Sequence, residues 1–250
     1  MSTRWHIGAK DLRGPIAAYA KRFDLLEVRI ELAAAERGEP RAVTPTLATL
    51  RRWRKAVPPH FDFVVVAGPS LSRVRATDEA ERELDAARVA MDALQARALV
   101  LRTPPDVTPT ALWRERIAKI AAKIPRDVTH FVWEPSGVWE TAEAAAQARI
   151  WDGVVAVDPA KEPVPGGAVA YLRLRAMGET HSFGAAALER IVKAVGARRD
   201  VFAIIETDSA LSEAKRLRQI VRSTRTGGAG GPMRLVRPRG SIVVRDDEQE

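Results

Sequence analysis

The chain contains no cysteine, which removes disulfides, thiol catalysis and cysteine-based zinc sites together. No apolar run approaches the ~20 residues needed to cross a bilayer, and the N-terminus lacks a charged segment followed by an apolar stretch and a small-residue cleavage site. A cytoplasmic protein with no membrane partner is the expectation. Histidine is scarce: His6, His60, His130 and His181 are the only four, and they form no ligand constellation of the kind metal-dependent barrels gather at strand ends. Neither a Walker-type nor a dinucleotide glycine pattern follows an apolar run, and the glycine cluster at 227–231 has no helical periodicity after it. No metal and no cofactor are expected.

What is present is a regular alternation. A chain of 250 residues with 46% apolar content is the usual size of a single α/β barrel. Eight short apolar runs recur along it: Trp5–Gly8, Leu25–Ile30, Phe61–Ala67, Ala98–Leu101, His130–Trp133, Gly153–Val157, Val169–Leu174 and Val201–Ile205. Between them, Ile16/Tyr19/Ala20/Phe23, Leu47/Leu50/Trp53/Val57 and Trp113/Ile117/Ile120/Ile124 are each spaced for one helix face. Thr44-Pro45 and Thr108-Pro109 each place a capping oxygen before a proline suited to a first helical position, which predicts two helix starts. Eight strand–helix repeats predict an α/β fold of the (β/α)8 TIM-barrel type. The sixth unit is irregular, because 158–167 (DPAKEPVPGG) is too rich in proline and glycine for a full helix.

Two of the predicted strands carry charge where a buried sheet tolerates none. Glu27, Arg29 and Glu31 share one face of the second strand while Leu26, Val28 and Ile30 take the other, and Tyr171, Arg173 and Arg175 alternate likewise with Leu172 and Leu174. An open sheet covered by helices would strand these charges in a core. A closed barrel turns the same face toward a lumen that ends in a pocket. Glu27, Arg29, Tyr171 and Arg173 are therefore expected inside, with Leu26 and Leu172 facing the helices.

The formal net charge is +8. Eight basic residues and no acidic ones fall between Lys215 and Arg239, and the other 32 Lys and Arg balance the 32 Asp and Glu. The excess thus belongs to the last helix and the segment C-terminal to it. Residues 1–222 are expected to form the barrel, and 223–250 a mostly disordered basic tail closed by acidic residues. Clustered Lys and Arg favour weak nucleic-acid contact through counterion release. The absence of aromatics from Lys215 to Glu250 removes the stacking platforms of a single-strand binder.

The order of the segments resembles the YecE-like family, known as domain of unknown function 72, over roughly residues 5–222. The resemblance rests on Ile7-Gly8, Leu26-Glu27-Val28, the stretch from Trp53 through Pro58-Pro59 to Phe61-Asp62-Phe63, Thr103-Pro104-Pro105, Pro135-Ser136 with Trp139, Val157-Asp158-Pro159 and Tyr171-Leu172-Arg173-Leu174. It implies a TIM barrel without an established activity, and Glu27, Asp158, Tyr171 and Arg173 as what remains of the family's polar pocket. The departures are numerous. Arg29, Val66, Arg102 and Arg175 stand where the family has Asn, Lys, Gln and His; Phe131, Trp133 and Glu134 replace three polar positions; Glu206-Thr207 replaces an Asn pair. The chain reads as a divergent member with a rebuilt pocket.

In barrels of this type the ligand sits where strands end and βα loops begin. The candidates there are Lys10, Asp11, Arg29, Glu31, Arg102, Trp133, Glu134, Asp158, Arg173, Arg175, His181, Glu206 and Asp208. Arginine is over-represented, and guanidinium forks match carboxylate or phosphate. Glu27, Arg29, Arg102, Asp158, Tyr171, Arg173 and Arg175 are thus the ligand-binding candidates for an anionic small molecule, with Glu27 and Arg173 also fitting a buried structural ion pair. Glu134 and Glu206 are the candidates for acid–base work, with hydrolase or lyase chemistry open. The alternative is a catalytically inactive barrel that contacts nucleic acid or an acidic partner through its basic tail.

Overall fold

The computed structural model describes residues 3–31, 45–125, 129–176 and 181–227. Eight strands, β1 (Arg4–Ala9), β2 (Leu25–Arg29), β3 (Asp62–Val66), β4 (Ala98–Arg102), β5 (His130–Glu134), β6 (Gly153–Val157), β7 (Val169–Leu174) and β8 (Asp200–Ile205), close into one parallel barrel in sequential order. The helices around it are α1 (Ile16–Tyr19), α2 (Leu47–Ala56), α3 (Pro69–Ser72), α4 (Asp78–Leu94), α5 (Ala111–Ala122), α6 (Thr141–Ile150), α7 (Ala185–Val195) and α8 (Ala210–Gly227). They are not one per strand: α3 and α4 both follow β3, and no helix separates β6 from β7. The proline- and glycine-rich 158–168 segment makes that connection as a loop, as its composition predicts.

Two apolar clusters account for the barrel wall. Leu26, Val28, Leu172 and Leu174 belong to the larger one, between strands and helices. Leu25, Val64, Val100, Val132, Tyr171, Phe202 and Ile204 fill the lumen. Each fully buried Leu or Val contributes roughly 1.5–3 kcal/mol, so the period-2 alternation decides which residues hold the wall and which fill the bore. Along the inward parity the lumen has three levels. Near the strand starts lie His6, Asp62, His130 and Asp200; an apolar level comes next; near the strand ends lie Glu27, Arg102, Glu134, Arg173 and Glu206.

The seam between β1 and β2 is short, pairing only Gly8 with Leu25 and Ala9 with Leu26. Tyr19 reinforces it. Its hydroxyl accepts from the Ala9 N–H (2.9 Å) and donates to the Leu25 carbonyl (2.9 Å), although α1 ends at that residue and does not continue to Phe23 as its spacing suggests. Gly8 is required at the same place: a Cβ there would stand 2.5 Å from the Leu25 carbonyl oxygen.

Both predicted helix starts are corrected by two residues. Helix α2 begins after Thr46, whose hydroxyl accepts from the Thr49 N–H, and α5 after Thr110. In each Thr-Pro-Thr stretch the proline precedes the cap and does not follow it, since its fixed φ suits an extended approach as well as a first turn; Thr44 itself lies outside the described residues. Helix α8 runs to Gly227, past the expected boundary at 222. Within it, Ser223 and Thr224 donate their hydroxyls to the Ile220 carbonyl of the preceding turn. The rest of the expected tail, 228–250, lies outside the described residues.

Candidate functional site

At the strand ends the inward parity assembles three guanidiniums and three carboxylates into one network. Arg173, from β7, is 1% exposed and donates from Nη1 to Glu27 (2.6 Å) and from Nε to Glu134 (2.9 Å); Glu206 lies 3.5 Å from Nη1. The Tyr171 hydroxyl, one level below, donates to the other Glu27 oxygen at 2.5 Å. Arg175 bridges Glu206 through Nε (3.0 Å) and Glu134 through Nη2 (2.6 Å). Arg102, adjacent to Glu134 across the β4–β5 ladder, grips it side-on, with Nε at 3.0 Å and Nη2 at 3.2 Å.

Glu134 is the hub, contacted by all three arginines. Burial alone would raise its carboxyl, but Arg173, Arg102 and Arg175 outweigh that and hold it below the usual carboxylate range. It is an ionised, saturated acceptor, which is poor chemistry for a proton donor. Burial likewise works against the charge on Arg173, and Glu27, Tyr171 and Glu134 together hold its guanidinium well above the ordinary value. Burial, with Glu27 beside it, pushes the Tyr171 phenol well above its own. Glu134 and Arg173 are thus held in their charged forms and Tyr171 in its neutral one. Taking out Arg173 would leave Glu27 buried without its cation.

A cleft of about 330 Å³ opens over this network, lined by Arg102, Glu134, Arg173 and Arg175 together with Thr103, Ser136, Trp139, Asp158 and Lys161. Its β5 side is held rigidly: Ser136 donates to the Thr103 carbonyl (2.5 Å) and Trp139 donates to the Val107 carbonyl (2.6 Å). On the β6 side Asp158 ends the strand and shapes the helixless loop, accepting from the Ala160 N–H at 3.0 Å. Burial raises the Asp158 carboxyl above the usual range, and the Ala160 N–H offsets that only in part.

The structure thus brings together Glu27, Arg102, Glu134, Asp158, Tyr171, Arg173, Arg175 and Glu206. Arg29 is not among them: it stands at the end of β2, half exposed, with Glu31 at 3.4 Å. Trp133 has the outward parity and is a wall residue, its indole N–H bonded to Thr103 and its ring packed against Trp139 and Trp151. Lys10, Asp11 and Asp208 line a separate cleft of about 290 Å³ between the β1 and β8 loops. Two buried glutamates went unnoticed in the sequence. Glu83 accepts from the Leu71 N–H (2.7 Å), and Glu213 accepts from the Phe183 N–H (2.7 Å) and the Thr207 hydroxyl (2.6 Å); they pin the loops after β3, β7 and β8. Each sits one turn into its helix, a position that reads as solvated surface. Among the described residues no group of three or more His, Asp or Glu is placed to hold a metal ion, and no helix is long and apolar enough to cross a membrane.

Comparison with curated proteins finds no match. Among solved structures, a DUF72 family protein from Enterococcus faecalis superposes with a TM-score of 0.63 at 16% identity, covering 88% of this chain and 96% of its own. A second DUF72 family protein, from Thermotoga maritima, gives 0.62 at 11%, covering 88% and 99%. A D-tagatose 3-epimerase-like protein gives 0.52 at 12%, covering 90% and 100%; at these identities the likeness is one of fold. The sequence model of the family described as "Protein of unknown function DUF72" matches residues 43–234, from before α2 to beyond α8. The chain belongs to the DUF72 family.

Proposed function

We propose that the cleft at the strand ends binds a small anionic molecule through Arg102, Arg175 and Lys161. The observation that carries this reading is an imbalance of hydrogen-bonding capacity within a network of balanced charge. Glu27, Glu134 and Glu206 are nearly buried, and their oxygens are occupied by guanidiniums and, on Glu27, by the Tyr171 hydroxyl. Arg102 and Arg175 are each about one-third exposed, engaged through Nε and Nη2, and Nη1 of each has no hydrogen-bond acceptor among the described residues. A guanidinium carries more donors than one carboxylate can take up. The acceptors are therefore consumed and the donors left over, on the side where Lys161 adds a further cation. A carboxylate or phosphate fits that surface.

Glu134 and Glu206 in this reading hold the arginines in place and do not move protons. The test is calorimetric titration of the full chain with succinate and with inorganic phosphate, against sodium chloride of equal ionic strength. Binding in the wild type that is lost in Arg102→Gln, with the fold unchanged by circular dichroism, is the expected result. Equal heats from chloride, or undiminished binding in the variant, would refute it.

A further inference from the structure

One buried carboxylate beside the cleft stands outside the arginine–glutamate network. Asp158 is 5% exposed, and its two oxygens differ. Oδ1 accepts from the Ala160 N–H and so closes the turn that starts the helixless loop, while Oδ2 is buried without a hydrogen-bond partner. Such an orphan is costly in a folded protein and calls for an occupant. Among the described residues no cation forms a salt bridge with it: Lys161 and then Arg175 are near enough for their charge to act on the carboxyl, yet Arg175 gives its hydrogen bonds to Glu134 and Glu206. Arg102, Arg173, Arg175, Lys161 and Asp158 line one and the same cavity.

From this juxtaposition we infer that Asp158 is a specificity-determining residue that hydrogen-bonds, through Oδ2, a hydroxyl group on the ligand, so that the cleft takes small hydroxylated anions in preference to their deoxy counterparts. The inference rests on the anion-binding reading above. It adds to it the chemical class of the ligand: a hydroxy acid or a polyol phosphate. The raised carboxyl agrees with the geometry. In either protonation state Oδ2 can accept a hydrogen bond from a ligand hydroxyl. A site built around a hydroxyl discriminates strongly against a ligand that lacks it, because the buried polar atom is left unpaired again.

The test uses two matched pairs on the full chain by calorimetric titration: tartrate against succinate, and glycerol 3-phosphate against propyl phosphate. The pair that binds identifies which anionic group the arginines accept. The wild type is expected to prefer the hydroxylated member of that pair by about tenfold or more. Asp158→Ser supplies the control, since serine keeps a side-chain oxygen for the Ala160 N–H and removes the second one. In it the preference should fall to near unity. Equal affinity within both pairs in the wild type would overturn the inference and show Oδ2 to be served by water alone, and this arm needs no variant. A preference that persists in Asp158→Ser would overturn it as well. If no member of either pair binds, the anion-binding reading itself fails, and this inference with it.

Discussion

The lumen of this barrel holds ionic clusters at both ends, and they are built on opposite plans. At the strand starts, His6 lies between two carboxylates, with Nδ1 against Asp62 and Nε2 3.2 Å from Asp200, and stacks on Phe202 at 4.8 Å. Arg4 and Arg199 reach Asp200 from outside, each at 2.9 Å and each more than half exposed. At the strand ends the buried cation is Arg173, and the exposed partners, Arg102 and Arg175, are further arginines. The strand starts therefore carry a charge that an imidazole can lose, whereas the strand ends carry charges that guanidiniums keep. In a TIM barrel the first is the face of stability and the second the face of ligand binding. Here the difference in titration follows that division.

The comparison is most severely tested at Arg173. Arg173→Met leaves Glu27 and Glu134 buried without their principal counter-ion, and about 3–5 kcal/mol of stability should be lost. Restoring neutrality with Glu27→Gln in the same chain should recover part of it, since contacting residues couple non-additively. Urea unfolding of the singles and the double measures this. A single variant as stable as the wild type would show that water already reaches the network.

At the strand starts the expected effect is smaller and depends on pH. Burial works against a charged His6, but Asp62 and Asp200 outweigh it and raise the imidazole above its ordinary value. Its contribution is then fully present below the unfolded imidazole pKa and lost as pH rises through the folded one. Asp200 has the opposite sign: burial would raise its carboxyl, yet His6, Arg199 and Arg4 hold it low, so its contribution is present above the unfolded carboxylate pKa and lost as pH falls through the folded one. Thermal unfolding should give a stability maximum between the two, with the alkaline decline abolished in His6→Gln at a cost of about 1.5–3 kcal/mol below neutrality. An alkaline limb unchanged in that variant would place the titrating group elsewhere.

The smallest change in stability is expected at the rim. Arg102→Gln should alter unfolding by less than about 1 kcal/mol, because a one-third exposed pair is solvent-screened, while removing the calorimetric signal for the anion. A large loss of stability there would mean that the rim arginines are structural and would erase the contrast between the two ends.

The eight strands and their inward parity were legible because period-2 alternation is local: Glu27 and Arg173 betray their direction through Leu26, Val28, Leu172 and Leu174 alone. The same parity extends to Arg102, Glu134, Asp158 and Glu206, which the sequence places at strand ends without showing that they converge. Arg29 shares the parity of Glu27 and was expected beside it, yet one step further along β2 it leaves the lumen for solvent. The cluster of His6, Asp62 and Asp200 escaped notice because its members sit singly at the starts of three strands with no shared motif.

The sequence by itself determined the repeat, the loop that stands in place of a helix between β6 and β7, and the side of each strand that bears charge, since all three follow from composition and spacing within about ten residues. Only the tertiary structure decided that Glu134 is shared by three arginines, that Tyr171 serves Glu27, and that Asp158 keeps an oxygen without a partner. The hydrogen bonds of that network join residues 31 to 146 positions apart. They are set by the stagger with which eight strands close on one another, and no local pattern encodes that register.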